Sequence, residues 1–341
     1  QRQMCIRDSY QLTETEGSVQ KLPVFGFTNT CSIMTHGYHP ELSLYSPYLG
    51  ASYSVVEALA RVTAMGGNYE TCRLTNQEYF ERLHTDPEKW GKPMQALLGL
   101  IEAEMAFETP AIGGKDSMSG TFNDISVPPT LITFAVTTEK TEHIISPEFK
   151  EAGHHIYYIK HTPNDNQTPN YEELKANFAK VRELIRKGVI CSAATVKFGG
   201  LAEALCKMSF GNKIGVEVKT SEHIFDLSIG SIVVESSEAI YDEAFVLLGK
   251  TTDADTICIN EECITIDKAI TAWCERYNTM YPMTVDQEKG VIETPEYTAN
   301  ERVHAKKTID KPKVIIPVFP GQNCEYAVSY THLTLPTIYS V

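Results

Sequence analysis

The chain has 341 residues, of which 42% are hydrophobic, and its formal net charge is −14 at pH 7. Such acidity argues against a nucleic acid or an anionic membrane surface as partner. The length allows two domains, and because no run of about 18 apolar residues occurs, no segment is expected to span a bilayer.

The cysteines indicate a reducing environment. There are nine of them, an odd number, and no Cys-x-x-Cys pair occurs. A disulfide framework or a zinc site is therefore not expected. The first residues also lack a secretory signal pattern. We expect a cytoplasmic protein.

The first half of the chain shows two helical periodicities and one apolar strand. Residues 46–65 predict a helix that Gly66 and Gly67 terminate. Residues 77–90 are charged and aromatic, which favours a surface helix and loop. A second helix is predicted to end at Pro110, and Leu131–Val136 is apolar enough for a buried strand. The apolar positions at helical spacing in the second helix are Met94, Leu97, Leu98, Ile101, Met105 and Phe107.

The second half follows a polar boundary at residues 138–153. An amphipathic helix is predicted at Tyr171–Lys187, with Leu174, Phe178, Val181 and Ile185 facing inward. Strands and helices do not alternate regularly, so an α+β fold is predicted. The other predicted strands are 155–159, 189–190, 214–218, 229–234 and 313–319, and the other predicted helices are 201–210, 238–246 and 267–280.

The most informative stretch is Gly113–Gly120, Gly-Gly-Lys-Asp-Ser-Met-Ser-Gly. A glycine pair allows backbone N–H groups to surround an anion, while Lys115 adds a point charge and the serines add hydrogen bonds. The spacing is not that of a Walker A loop. A solvated turn with an ordinary Lys-Asp pair is the alternative.

Two further pairs have both a functional and a structural interpretation. Gly199-Gly200 precedes a predicted helix and could bind an anion at the helix N-terminus, or it could allow a loop to pack closely. Glu57 and Arg61 lie four residues apart, and a surface salt bridge explains them equally well.

Gly113–Ser119, together with Val127–Leu131, resembles the second synthetase half of phosphoribosylformylglycinamidine synthase, and the resemblance extends from about Leu22 to Tyr326. It implies an aminoimidazole-ribonucleotide-synthetase-like lobe, with an N-terminal α/β domain at 22–145 and a C-terminal α+β domain at 146–283. Residues 284–312 would be a linker. Residues 313–326 would begin a glutaminase domain with a truncated flavodoxin-like strand. We set residues 1–21 and 327–341 aside as non-native termini.

The resemblance implies part of an ATP-dependent ligase of purine biosynthesis. Such a ligase converts formylglycinamide ribonucleotide, glutamine and ATP to formylglycinamidine ribonucleotide, with Mg²⁺ as cofactor. Lys115 and Asp116 would be catalytic, and the phosphate or substrate ligands would be Gly113, Gly114, Ser117, Ser119, Gly199 and Gly200. The partners would be an N-terminal synthetase half and a glutaminase domain, the substrate a small molecule.

Two alternatives stay open. The chain could be a catalytically silent half that binds an auxiliary nucleotide or serves as a structural platform. It could also be an aminoimidazole ribonucleotide synthetase, although the glutaminase-like segment argues against that. Because the sequence ends before a glutaminase nucleophile, we expect no glutaminase activity from the chain.

An auxiliary magnesium site is the point where the sequence departs from the resembled family. Glu57 matches a metal ligand, but Arg61 stands at its partner position. Thr195 and Phe198 occupy the positions of two metal-binding aspartates, with Lys197 between them. We therefore expect a degenerate site in which an Arg61–Glu57 ion pair replaces the metal.

Overall fold

The computed structural model describes residues 12–282 and 315–318. The chain divides into two compact units, Gln1–Met283 and Thr284–Val341. In the second unit the four described residues belong to no helix or strand, and Ile315 is 90% exposed. The buried strand predicted at 313–319 is therefore wrong for these four residues. The remainder of that prediction, the linker and the tail lie outside the described residues.

A five-stranded sheet forms the first layer of the first unit. Its order is β1-β2-β7-β3-β4, and only the β3–β4 pair is parallel. β5 and β6 form a separate two-residue hairpin. The strands are β1 Ser18–Lys21, β2 Thr30–Gly37, β3 Arg73–Tyr79, β4 Ala111–Lys115, β5 Thr121–Phe122, β6 Ile125–Ser126 and β7 Thr130–Lys140.

Three helices accompany this sheet: α1 Pro40–Tyr45, α2 Pro47–Ala64 and α3 Pro87–Phe107. Ser46 caps α2 through its side chain, as expected for a helix with proline at its first position. Sixteen of the eighteen residues of α2 are buried. The helix is thus enclosed on all sides, whereas the sequence predicted one buried face.

A seven-stranded sheet forms the second layer, in the order β14-β13-β10-β12-β8-β11-β9. Only the β10–β13 pair is parallel. The strands are β8 His155–Ile159, β9 Ile190–Thr195, β10 Gly215–Val218, β11 Ile232–Ser236, β12 Val246–Thr252, β13 Thr256–Ile259 and β14 Glu262–Thr265.

This second sheet separates two hydrophobic cores. Successive residues of β8 point to opposite faces, so Tyr157 lies in the core around α2 while Tyr158 lies in the other core. The remaining helices are α4 Tyr171–Arg186, α5 Gly200–Phe210 and α6 Ile266–Glu275. Helix α4 packs in the first core through the four predicted residues, and α5 packs in the second.

Two predicted helices are wrong. Residues 77–79 belong to β3, which lies between β7 and β4 in the sheet, and the helix α3 begins only at Pro87. The predicted helix at 238–246 is a non-helical segment that leads into β12. In β3 the buried positions include Asn76 and Glu78, so polar residues conceal the alternating pattern of the strand.

Of the six apolar positions at helical spacing in α3, only Phe107 is buried. Met94, Leu97 and Met105 are exposed, together with Leu98 and Ile101. The helix packs instead through small residues: a Cβ on Gly99 would lie 2.1 Å from the backbone oxygen of Tyr48. Close approach to α2 therefore decides which face is buried. Among the described residues no helix is long and apolar enough to cross a membrane.

Residues 12–21 belong to the fold, which corrects the decision to set them aside. β1 pairs with β2, and Glu16 is only 3% exposed. A disulfide joins Cys258 to Cys263 across the β13–β14 hairpin. It is a local link within one hairpin rather than a framework, and it differs from the reducing environment that the cysteine pattern indicates.

Candidate functional site

The glycine-lysine motif lies at the edge of the first sheet. Gly113, Gly114 and Lys115 are the last residues of β4, whose outer edge no described strand covers. Gly114 is required by packing, because a Cβ there would lie 2.4 Å from the Asn76 carbonyl oxygen. At Gly113 a Cβ would meet nothing within 4 Å. Packing therefore explains Gly114 but not Gly113, and the space beside Gly113 is open.

The charged residues of the motif are exposed. Lys115 forms no ion pair with any described residue, and Asp116 follows it directly. The backbone then turns inward: the Ser117 N–H donates to the Glu78 carbonyl at 3.1 Å. The hydroxyl oxygens of Ser117 and Ser119 lie 2.9 Å apart. The motif thus presents a cation, a carboxylate and two hydroxyl groups on one short segment.

Glu78 is a buried carboxylate beside this segment. Its side chain projects from β3, the residue is 8% exposed, and its Oε1 atom has no hydrogen-bond partner. Burial raises the pKa of Glu78, and the charge of Asp116 raises it further. An unpaired buried carboxylate oxygen is costly unless a proton or a cation joins it. The Glu78–Asp116 pair is therefore suited to holding a divalent cation.

The second glycine pair starts α5. Gly199 and Gly200 have φ values of +91° and +68°, in the left-handed region that favours glycine. A Cβ on Gly200 would lie 2.4 Å from the Ile224 carbonyl oxygen, and one on Gly199 would lie 2.5 Å from the Glu203 carboxylate. Close packing accounts for both residues. Their role in phosphate binding stays a prediction.

A cavity of about 500 Å³ opens between α2 and the second sheet. Apolar side chains such as Leu49 and Leu201 line it, together with the Lys160–Glu222 ion pair. No residue of 113–119 is part of its lining. The structure therefore does not bring the predicted site residues together in one pocket.

Four charged side chains meet where the N-terminal segment crosses between the two sheets. Arg61 Nε lies 3.2 Å from Glu16 Oε2, and Lys197 Nζ lies 3.4 Å from the same oxygen. Thr195 donates from its N–H and its hydroxyl to Glu16 at 3.0 and 2.7 Å. The Arg61–Glu57 distance is longer, 3.7 Å. Arg61 therefore pairs mainly with Glu16, which corrects the expectation that Glu57 is its principal partner.

In this ion cluster of Glu16, Glu57, Arg61 and Lys197, the two basic side chains lower the pKa values of both carboxyl groups against the effect of burial. Burial alone would raise the pKa of Glu16, but Lys197, Arg61 and the bonds from Thr195 hold it below its usual value. Burial dominates at Glu57 and raises its pKa, although Arg61 and Lys197 oppose the rise. Glu16 is thus the better stabilised anion.

One further group has the composition of a metal site. His154, Cys191 and Glu235 have potential ligand atoms within 4.8 Å of one another. Glu235 already accepts hydrogen bonds from the Lys150 and Glu151 N–H groups and the Ser192 hydroxyl, as well as contacting His154. Burial raises the pKa of Cys191 to about 12. The group is therefore an internal hydrogen-bond network rather than a thiolate-metal site.

Comparison with known proteins supports the resemblance found in the motif. The chain is 26% identical over 202 residues to subunit PurL of phosphoribosylformylglycinamidine synthase from Methanocaldococcus jannaschii, which covers 52% of this chain and 27% of that protein. The Thermococcus gammatolerans PurL is 26% identical over 250 residues, 64% of this chain and 35% of that protein. No protein-family model matches the chain.

Solved structures agree in fold. Thermotoga maritima PurL complexed with FGAR has a TM-score of 0.63 and 13% sequence identity, with 84% of this chain and 51% of that chain covered. A ThiL complexed with AMPPCP and TMP has a TM-score of 0.53 at 9% identity, covering 73% of this chain and 88% of that one.

The resemblance to phosphoribosylformylglycinamidine synthase is confirmed. So is the α+β fold of the aminoimidazole-ribonucleotide-synthetase-like class. The chain spans only 27% and 35% of the length of the two curated synthase subunits and about half of the solved one. Their complete activity, substrates and partners therefore come to this chain as proposals.

The auxiliary magnesium site expected from the synthase family does not fit the residues present. Mg²⁺ prefers octahedral oxygen coordination, whereas Arg61 and Lys197 are cations that direct donors at the carboxylates. The oxygens of Glu16 are engaged by Arg61, Thr195 and Lys197. No step through a metal at this position is proposed.

The sequence did not predict two of the residues that the structure places beside the candidate sites, Glu78 and Glu16. Glu78 was assigned to a surface helix, and its only signal was its position two residues after Asn76, which marks one face of a strand. Glu16 was excluded with the N-terminal segment. Its pairing with residues 45 to 181 positions away has no local sequence signal.

Proposed function

We propose that the chain is one synthetase half of an ATP-dependent carbon-nitrogen ligase that forms formylglycinamidine ribonucleotide from formylglycinamide ribonucleotide, with glutamine as the amido donor. The single observation that carries the proposal is the Gly113–Asp116 edge. It combines open space at Gly113, the Lys115 cation, which pairs with no carboxylate among residues 12–282, and the Glu78–Asp116 carboxylates.

The chemistry needs positive charge at this edge. Transfer of a phosphoryl group to an amide oxygen brings two anionic molecules together, and preorganised cations and N–H groups offset their repulsion. Lys115 would bind the transferred phosphoryl group, and the backbone at Gly113 would approach it closely. The hydroxyl groups of Ser117 and Ser119 would donate further hydrogen bonds.

Mg²⁺ would be held by Asp116 and Glu78. The fit rests on the unpaired, buried Oε1 of Glu78, which lacks a hydrogen-bond partner in the fold and would gain a cation. When bound, Mg²⁺ neutralises charge on the nucleotide phosphates. Lys115 would then remain available for the oxygen that receives the phosphoryl group.

The second candidate is a catalytically silent half that supports the active one. The ion cluster favours it, because Arg61 and Lys197 supply protein charges at positions where the resemblance implies the ligands of an auxiliary magnesium nucleotide. Under this alternative the chain supplies a wall of the active cleft, and residues of the motif affect activity little.

The experiment is to supply the missing first synthetase half by coexpression and to measure ADP formation with formylglycinamide ribonucleotide, ATP and ammonia. We expect no turnover from this chain alone and turnover from the pair, because the cleft is composite. Turnover by the chain alone would contradict the division into halves. A pair that turns over no faster than the first half alone would contradict a role in the site.

A further inference from the structure

Two carboxylates are buried together in the ion cluster. Glu16 is 3% exposed and Glu57 is 8% exposed, and Arg61 contacts both. Buried anions need nearby positive charge, because desolvation otherwise drives them to take up protons. Two basic side chains together supply two positive charges, and one divalent cation supplies the same charge.

In this chain the positive charges come from the protein. The guanidinium of Arg61 lies in a fixed position, since its Nη1 also donates to the His36 carbonyl oxygen at 2.8 Å. Lys197 enters from the segment after β9 and reaches the same Glu16 oxygen as Arg61. The formal charges of the four side chains sum to zero.

The cluster also connects parts of the fold that are remote in sequence. Glu16 belongs to the N-terminal segment, Arg61 to α2 below the first sheet, and Thr195 to β9 of the second sheet. The Glu16 carboxylate therefore fixes the N-terminal segment against both layers, through Oε2 to Arg61 and through both oxygens to Thr195. Such a position requires a counter-ion that is always present.

We propose that the side chains of Arg61 and Lys197 permanently supply the positive charge that the buried carboxylates of Glu16 and Glu57 require. If both charges were removed, this position would become a divalent-metal site. Glu16 and Glu57 would be the anionic ligands of that metal. The wild-type cluster then holds the two layers together without any metal ion and binds neither a divalent cation nor a magnesium-bound nucleotide. The inference does not depend on the activity proposed above.

The test is the double variant Arg61→Asn/Lys197→Gln, titrated with Mn²⁺ after removal of metals by EDTA. Asparagine adds an oxygen ligand, and glutamine keeps most of the lysine volume. Compared with the wild type, we expect the double variant to bind one additional Mn²⁺ per chain by calorimetry and to rise by about 5 °C more in melting temperature at saturation. The wild type should bind no Mn²⁺ at this site, so Glu16→Gln should leave its Mn²⁺ stoichiometry unchanged.

The matched control is Lys180→Gln/Lys213→Gln, which removes the same charge from ion pairs with Asp242 and with Asp267 outside the cluster. It should not gain a Mn²⁺ site. If the double variant folds only with Mn²⁺, the proposal is supported. Should it not fold under either condition, Arg61→Gln/Lys197→Gln replaces it, because glutamine keeps more of the arginine volume while both charges are still removed, and the same gain of one Mn²⁺ is expected.

Two results would overturn the proposal. The first is a folded double variant, of either design, whose melting temperature and Mn²⁺ binding match those of the control. The second is a stoichiometric Mn²⁺ site in the wild type that Glu16→Gln abolishes, because the cluster would then already hold a metal.

Discussion

Glu78→Gln tests whether the buried carboxylate beside the motif is held at a cost to stability. The residue is 8% exposed and its Oε1 atom has no partner. Leaving such a group unpaired costs on the order of 1 kcal/mol or more. Glutamine keeps the shape and removes the charge. We expect the variant to be more stable than the wild type by about 1 kcal/mol at pH 7, a rise of about 3 °C in melting temperature.

The sign of the pH dependence follows from the raised pKa of Glu78. A carboxyl group whose pKa is higher in the folded state contributes stability while it is protonated. That contribution is full below the ordinary value of 4.5 and is lost as the pH rises through the folded-state pKa. The stability gain of Glu78→Gln should therefore be absent near pH 4 and should grow as the pH rises through the folded-state pKa of Glu78.

The assay is thermal unfolding between pH 4 and pH 8, in EDTA and in Mg²⁺. Mg²⁺ should stabilise the wild type and leave Glu78→Gln unchanged, because the carboxylate pair is then broken. Asp116→Asn should reproduce part of the gain, since it removes the second cause of the raised pKa. Glu261→Gln, at an exposed turn, is the control. A pH-independent loss of stability in Glu78→Gln would refute the reasoning.

Two further predictions concern the fold. Phe178→Ala should lower the melting temperature by about 10 °C, because the fully buried ring of Phe178 packs against Tyr69 and Phe107 between α3 and α4. Replacing the exposed Phe225 by alanine should change the melting temperature by less than about 2 °C. An equal effect of both substitutions would contradict the assigned core. Mass spectrometry under non-reducing conditions should recover a Cys258–Cys263 cross-link that dithiothreitol removes, whereas two free thiols before reduction would show that this pair is not oxidised.

The sequence predicted well those elements in which the pattern of apolar residues matches the pattern of burial. Helix α4 has one apolar stripe and packs on one core, so Leu174, Phe178, Val181 and Ile185 could be assigned from spacing alone. Strand β8 is buried from Ile156 to Ile159 because the second sheet is covered on both faces. In both cases the burial of each residue follows from the type of element.

The failures arise where tertiary contacts override the pattern. Helix α3 buries its small residues against α2 and leaves larger apolar side chains exposed, which spacing cannot reveal. Strand β3 buries Asn76 and Glu78, so its polarity resembles that of a surface segment.

The motif itself could be found from residue types, but its surroundings could not. Gly113–Asp116 are consecutive, whereas the carboxylate beside them belongs to β3, 38 positions before Asp116 in the numbering. The same holds for Arg61, whose main partner lies 45 residues earlier. Parallel pairing of β3 with β4 and packing of the N-terminal segment create these neighbours.

The most direct test of the central claim is the rate of ADP formation by the reconstituted pair carrying Lys115→Ala. The control is Lys140→Ala, another lysine of the same sheet, whose ammonium contacts only the Thr30 hydroxyl among its described hydrogen bonds. Loss of a preorganised charge at the phosphoryl group should lower the rate about 100-fold or more, while the control stays within about threefold. A rate for Lys115→Ala within about threefold of the wild type would mean that the Gly113–Ser119 edge is structural and that the proposed phosphate site is wrong.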